Sequence, residues 1–240
     1  VLDGASVVTK STSGMVTLSG VNTLTGAINV TASSLAVVGA GKLTSGAVTV
    51  SGAGTYLTLG NTVQNVGAFT LTSGVVEAGT LNATSFGLES GLVSAVLDGA
   101  STVTKSTSSV VTLSGANTLT GAMNITAGSL AVVGAGKLTS GAVTVSGAST
   151  FLTLGNTVQN VGAFTLTDGV MEVGTLSAAS FTLESGLISA VLAGASTLTK
   201  STSGIVTLSG ANTLTGAMDV TAGSLAVVGA GKLTSGAVTV

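Results

Sequence analysis

Histidine, cysteine, arginine, proline and tryptophan are all missing from this sequence of 240 residues. Without His or Cys it has no His-dependent triad, no thiol nucleophile and no ordinary zinc site. Aromatic residues make up 2%, too few for the aromatic girdles of a transmembrane β-barrel, whose strands also run to about 9–11 residues. No stretch approaches about 18 consecutive apolar residues, so no transmembrane helix is encoded. Charged residues are only 6%, and all six basic ones are Lys. A net charge of −2 without a basic cluster argues against nucleic acid, which needs a stripe of Lys or Arg to replace counterions. The lack of Cys is neutral about redox compartment, although it suits a chain exported unfolded. No signal peptide heads the chain and Val1 is not an initiator Met, so the sequence is expected to be a segment of a longer protein.

What is present is mostly Ser, Thr, Gly, Ala, Val and Leu, with 45% apolar residues and 36 Gly. That apolar content can supply a core, which sets the chain apart from disordered sequences. Val and Thr favour strands, and frequent Gly punctuates them. The chain also copies itself every 95 residues: VLDGAS at Val1 to Ser6 returns at Val96 to Ser101, and VLAGAS stands at Val191 to Ser196. Residues 1–95 align with 96–190 without a gap and with 16 mismatches, most of them mild, and the third copy, 191–240, is partial. A period this long marks an array that buries its core between neighbouring units. Residues 1–240 are therefore expected to form a single continuous solenoid.

A unit of 95 residues is too long for one turn. Small-residue corners at Gly14, Ser33, Gly52, Gly74 and Gly91, then Ser109, divide it into steps of 19, 19, 22, 17 and 18 residues, about five coils per repeat. Four of the five pieces read strand, turn, strand, turn, strand. In one column Ile28 and Val30, Val48 and Val50, Phe69 and Leu71, and Phe86 and Leu88 are expected to point inward, with Asn29, Thr49, Thr70 and Gly87 outward. In another, Val16 and Leu18, Leu35 and Val37, and Leu57 and Leu59 are expected inward. This period-2 alternation signals half-buried strands. Gly, Asn and Ser suit the corners, because Gly and Asn accept positive φ and Ser bonds back to nearby backbone. The fold class is all-β, a parallel β-helix (β-solenoid). Phe69 is expected to stack on Phe86, and Phe164 on Phe181.

One segment per unit carries a family pattern. LTKSTSGIVTLSGANTLTGAMDVTAGSL, Leu198 to Leu225, resembles the autotransporter-associated β-strand repeat of bacterial passenger domains. Leu198, Thr199, Lys200, Gly204, Leu208, Gly210, Asn212, Gly216, Val220, Ala222, Gly223 and Leu225 match it without a gap. Val206 replaces the first Leu of the pattern, Leu214 replaces its aromatic, and Ser201 to Ser203 lack its turn glycines. The other copies run from Val8 to Leu35 and from Val103 to Leu130. The resemblance implies a right-handed β-helix displayed outside a Gram-negative-type cell, and it implies no enzyme activity.

Chemistry finds little footing. Parallel β-helices host polysaccharide lyases and hydrolases, but those sites need clustered acids, Arg and often calcium. Asp3, Glu77, Glu89, Asp98, Asp168, Glu172, Glu184 and Asp219 are spread along the chain. Glu77 and Glu89 share one coil and could form a carboxylate pair of the glycosidase kind. Glu172 and Glu184 repeat that pair, however, and a dyad copied in every repeat reads better as two solvated rows. GAGK at Gly39 to Lys42 is no phosphate loop, because the GxxxxGK[ST] frame is missing, and calcium nonapeptides are absent. The Lys residues recur at two phases, Lys10, Lys105 and Lys200, and Lys42, Lys137 and Lys232. Both phases read as sparse surface rows that guard against edge pairing, the first a solvent-facing row. Asn22, Asn117 and Asn212 share a phase and are expected to stack as an internal amide ladder at a corner.

The sequence thus points to a structural component of a bacterial cell-surface fibre, sheath or adhesin stalk, extracellular and outer-membrane-associated. No catalytic, cofactor-binding or metal residues and no cofactor are expected. The expected partners are copies of the chain itself, end-to-end or lateral, with surface glycans or other cells in addition. The alternative is a ligand-binding adhesin module whose Thr-rich flat faces bind glycan or ice. Regular Thr columns on one flat face would favour it, whereas Ala36, Val38 and Ser94 interrupt them.

Overall fold

A computed structural model describes all residues from Val1 to Val240. It contains strands and turns and no helix, and its strands pair in parallel from each coil to the next. The strands lie on three faces, although not every coil has a strand on each. Face 1 is a twelve-stranded ladder from Val16–Leu18 to Ser224–Val227. Face 2 carries short strands such as Asp3–Gly4, Thr23–Leu24, Val96–Gly99 and Thr118–Leu119. Face 3 runs from Val8–Lys10 through Ile28–Val30 and Val48–Val50 to Val238–Thr239. The nine-residue strands Val63–Leu71 and Thr80–Leu88 cover faces 2 and 3 together, and Val158–Leu166 and Thr175–Leu183 repeat them.

The alternation in the sequence appears directly as burial. Ile28, Val48, Phe69, Phe86, Val103, Met123, Val143, Phe164, Phe181, Leu198 and Met218 form one inner ladder on face 3, all essentially inaccessible. Leu35, Val37, Leu57 and Leu59 are buried on face 1 as expected. Val16 is 41% exposed, whereas its repeat counterparts Val111 and Val206 are fully buried, because no coil packs beneath Val16. One continuous cluster of 50 buried residues runs the length of the rod. Phe69 packs on Phe86 with ring centroids 6.2 Å apart at 62°, and Phe164 on Phe181 at 6.2 Å and 64°. This edge-on geometry is favoured by the ring quadrupoles.

On face 3 the ladder climbs from Val8 to Ile28, Val48, Phe69, Phe86 and Val103. Those steps are 20, 20, 21, 17 and 17 residues, which differ from the division drawn from the corners. The difference arises because corners absorb length unequally, and not all of them are Gly. Positive φ occurs at Ser33, Asn61, Ala78, Asn156 and even Val173, a conformation costly for a β-branched residue.

Candidate functional site

Two corners and two outer surfaces carry the polar chemistry of the rod. The first corner corrects the sequence reading. Lys10, Lys105 and Lys200 do not face solvent: Lys105 and Lys200 are fully buried and Lys10 nearly so. They close the strands Val8–Lys10, Val103–Lys105 and Leu198–Lys200. Each therefore lies two residues after an inward apolar side chain and must point inward itself. Lys10 occupies the same ladder as Val30 and Val50, and Lys105 the same ladder as Ile125 and Val145. The stem packs as a hydrophobe and the ammonium reaches the corner. There Lys105 Nζ donates to the Ala127 carbonyl at 3.1 Å, to Thr107 Oγ1 at 3.2 Å and to the Thr107 carbonyl. Lys200 repeats this on Ala222 at 3.1 Å and Thr202 Oγ1 at 3.2 Å, and Lys10 donates to Ala32 at 2.9 Å. Burial pushes the Lys105 ammonium below its ordinary range, with the Glu89 charge opposing that shift.

The second corner contains the Asn residues. They do not stack on one another, because their phase recurs only once per repeat. Each instead bridges three coils. Asn117 Oδ1 accepts from Leu97 N–H at 2.8 Å while its Nδ2 donates to the Lys137 carbonyl at 2.8 Å. Asn212 does the same between Leu192 and Lys232, and Asn22 between Leu2 and Lys42. Sequence reasoning missed the residues above them. Gln159 is buried; its Oε1 accepts from Leu138 N–H at 2.9 Å and its Nε2 donates to Gly136 O at 3.0 Å and Thr157 Oγ1 at 2.7 Å. Buried Thr139 donates to Gly121 O at 2.6 Å and accepts from Gly141 N–H at 2.9 Å. The signal was the inward phase of Gln159 within the alternating strand Val158–Leu166.

These side chains stitch a segment, residues 133–142, that forms no strand on face 2. The recess is a groove of about 250 Å³ lined by Asn117, Thr118, Lys137, Ser140, Gln159 and Asn160 among others. Counterparts of about 220 and 280 Å³ lie beside Lys42 and Lys232. Lys42, Lys137 and Lys232 are exposed, the one Lys row that the sequence placed correctly. Every buried side-chain N or O has a hydrogen-bond partner, and the groove offers an ammonium, hydroxyls and amides.

Glu77 ends the face 1 strand Val75–Glu77 and accepts from Thr58 Oγ1 at 2.9 Å, whereas Glu89 follows the far end of Thr80–Leu88. The pair therefore does not converge, and Glu172 and Glu184 are separated in the same way by Thr175–Leu183. No three acidic residues gather as a metal-binding set.

Face 3 brings together what the sequence left scattered. Its central outward column reads Thr9, Asn29, Thr49, Thr70, Gly87, Thr104, Asn124, Thr144, Thr165, Thr182, Thr199, Asp219 and Thr239. The interruptions at Ala36 and Ser94 belong to face 1 or its edge and leave this column intact.

Fold and corners define a parallel β-solenoid whose recurring coil is closed by an internal Lys and bridged by an Asn. The family model of the passenger-associated-transport-repeat matches residues 8–37, 103–132 and 198–227, the same three segments in which the resemblance is read from the sequence. No curated protein and no solved structure matches the chain. The structure gives the matched positions physical roles: Lys200 staples a corner, Asn212 bridges coils, and Gly216 lies where a Cβ would come within 2.2 Å of the Ser196 carbonyl.

Proposed function

We propose that this chain is a segment of an exported passenger-type solenoid, displayed on the bacterial surface as a structural stalk, fibre or sheath. The observation that carries the reading is the placement of the three passenger-associated-transport-repeat matches on equivalent coils of one uninterrupted rod. The rod winds right-handedly with about five coils per repeat, in keeping with the resemblance and with the handedness of parallel crossovers. It acts through length and surface, binding copies of itself, and we assign it no catalytic role, cofactor or metal. No helix is long and apolar enough to cross a membrane. The test is labelling of intact native cells with an antibody to the rod, before and after external protease. Surface label that protease removes supports display; label seen only after permeabilisation refutes it.

The mostly Thr and Asn column of face 3, interrupted at Gly87 and Asp219, favours a second reading, an adhesin face that binds glycan or ice through regularly spaced hydroxyls. Thr144→Val together with Thr165→Val should abolish ice recrystallisation inhibition or retention on a neutral polysaccharide column if that reading is right. No activity in the parent protein sinks it.

A further inference from the structure

We propose that the outer surface of face 1 is the contact between two copies of this chain lying side by side with their rod axes antiparallel. This deepens the reading of a self-associating surface rod, and it starts from the aromatic residues. The chain has five Phe and one Tyr. Four Phe form the buried pairs, and the remaining two aromatics, Tyr56 and Phe151, stand at equivalent outward positions on face 1, each 39% exposed. Each heads an apolar ladder in register: Tyr56 pairs with Val75 and Val75 with Leu92, while Phe151 pairs with Val170 and Val170 with Leu187. An exposed aromatic backed by two aliphatic rungs on a flat sheet is the composition of an interface centre.

Charge selects the partner. Because Lys10, Lys105 and Lys200 are buried, every exposed Lys belongs to the row Lys42, Lys137 and Lys232. Lys42 follows the face 1 strand Ser34–Val37, Tyr56 opens the next strand up, and Glu77 ends the one above that. Lys137, Phe151 and Glu172 repeat this order on three consecutive coils. Along the rod axis the aromatic rung therefore lies midway between a coil with a cation just past the corner into face 2 and a coil with an anion at the end of its face 1 strand. Because the column of Tyr56 reaches Thr153, two residues past Phe151, the operator is a half turn about an axis lying across face 1 and tilted from the strands by enough to absorb that offset, which reverses the rod. Aromatic rungs then meet aromatic rungs, and Lys rungs meet Glu rungs. With Tyr56 over Phe151 of the other copy, Glu77 faces Lys137 and Lys42 faces Glu172, and the same contacts recur reciprocally, as an isologous interface requires. A parallel arrangement that levels the aromatic rungs sets Lys rungs level with Lys rungs and forms none of these pairs. About ten rungs overlap in the antiparallel register, and at about 4.8 Å per rung and about 10 Å of width they bury roughly 1,000 Å² in total, the threshold of a specific interface.

The test is sedimentation of the full chain over a wide concentration range, beside two charge variants. One carries Lys42→Glu, Lys137→Glu and Lys232→Glu; the other carries Glu77→Lys and Glu172→Lys. Each variant alone should associate about tenfold or more weakly than the parent, since like charges oppose across the interface, and an equimolar mixture of the two should restore a heterodimer. Tyr56→Ser with Phe151→Ser should weaken association while leaving the thermal transition by circular dichroism in place. In this cysteine-free chain, Tyr56→Cys mixed with Phe151→Cys should cross-link under mild oxidant. A parent that stays monomeric, association that survives both charge sets, or failure of the mixture to recover would each overturn the proposal. So would Tyr56- and Phe151-dependent binding of soluble neutral dextran by a monomeric parent, which would make face 1 a glycan surface. Surface labelling of cells tests display independently, so an exported but monomeric rod fails this inference alone.

Discussion

Replacing Lys105 with Met separates a buried staple from a surface charge. Met keeps most of the stem's length, so the packing beside Ile125 is largely retained. What disappears is the donation to the Ala127 carbonyl at 3.1 Å, to Thr107 Oγ1 at 3.2 Å and to the Thr107 carbonyl. An acceptor left without a partner away from water costs about 1–3 kcal/mol. Two carbonyls are at stake, but removing the ammonium also relieves its desolvation, which is why its pKa lies below 10.5. The net expected loss is about 1–3 kcal/mol, the orphaned carbonyls outweighing the relief. Lys105→Ala removes three further methylenes at about 0.8 kcal/mol each and should cost about 2 kcal/mol more. Exposed Lys137→Ala should stay within about 0.5 kcal/mol of the parent. Urea unfolding followed by circular dichroism gives the ranking, and amide exchange across residues 103–130 gives the location, since solenoid stability is partly local. Linkage supplies a second check. A Lys whose folded pKa is depressed carries its full penalty below that pKa and loses it as pH rises toward 10.5. The parent should therefore gain stability relative to Lys105→Met as pH climbs through that window. A Met variant more stable than the parent at neutral pH, or a pH trend of opposite sign, refutes the staple.

Phe164→Ala should cost about 3–5 kcal/mol in chemical denaturation, because the ring is fully buried against Phe181. Gln159→Leu should leave Leu138 N–H unpaired and cost about 1–3 kcal/mol, seen as faster exchange of that single amide. Gly121→Ala places a Cβ about 2.2 Å from the Ser101 carbonyl and 2.4 Å from the Ala100 carbonyl. Because backbone must move, the cost should reach or exceed the roughly 1–3 kcal/mol of ordinary overpacking, read as a lowered midpoint in a thermal melt.

Face 3 was legible because its strands alternate without interruption: Val48–Val50, Phe69 to Leu71 and Phe86 to Leu88 each put two apolar side chains on one side. The Phe pairs followed from the same phase. The lysines were misread because a charged type was weighed above its phase, although Val8–Lys10 and Val48–Val50 share one pattern. A corner full of carbonyls is what makes the inward lysine tolerable, and carbonyl direction leaves no trace in residue types. The groove was illegible for a related reason. Lys-Leu-Thr-Ser at 137–140 reads as a strand fragment, and only the bonds from Asn117 and Gln159 show that side chains hold its backbone between the coil-to-coil bonds of Lys137 and Ser140. The step lengths were approximate because corners such as Ala78 and Val173 adopt positive φ without Gly.

One property of the array follows from comparing its faces. On face 3, Val8 climbs to its own counterpart Val103 after five pairings. On face 1, Val16 climbs through Leu35, Leu57, Val76 and Val93 to Leu113, two residues past its counterpart Val111. A slip of one residue would turn the core outward, whereas a slip of two keeps every side chain on its own side. Its effect is felt on the outer surface. The column Tyr56, Val75 and Leu92 runs on into Thr112, Ala131, Thr153 and Glu172, so the apolar rungs end within each repeat and begin again one column over. A continuous apolar stripe would adhere in any register and invite aggregation. Separate patches, each with a Lys coil below it and a Glu on its middle strand, confine close approach to registers that match whole repeats. The two-residue slip thus turns a periodic surface into one with a preferred alignment, at no cost to the core.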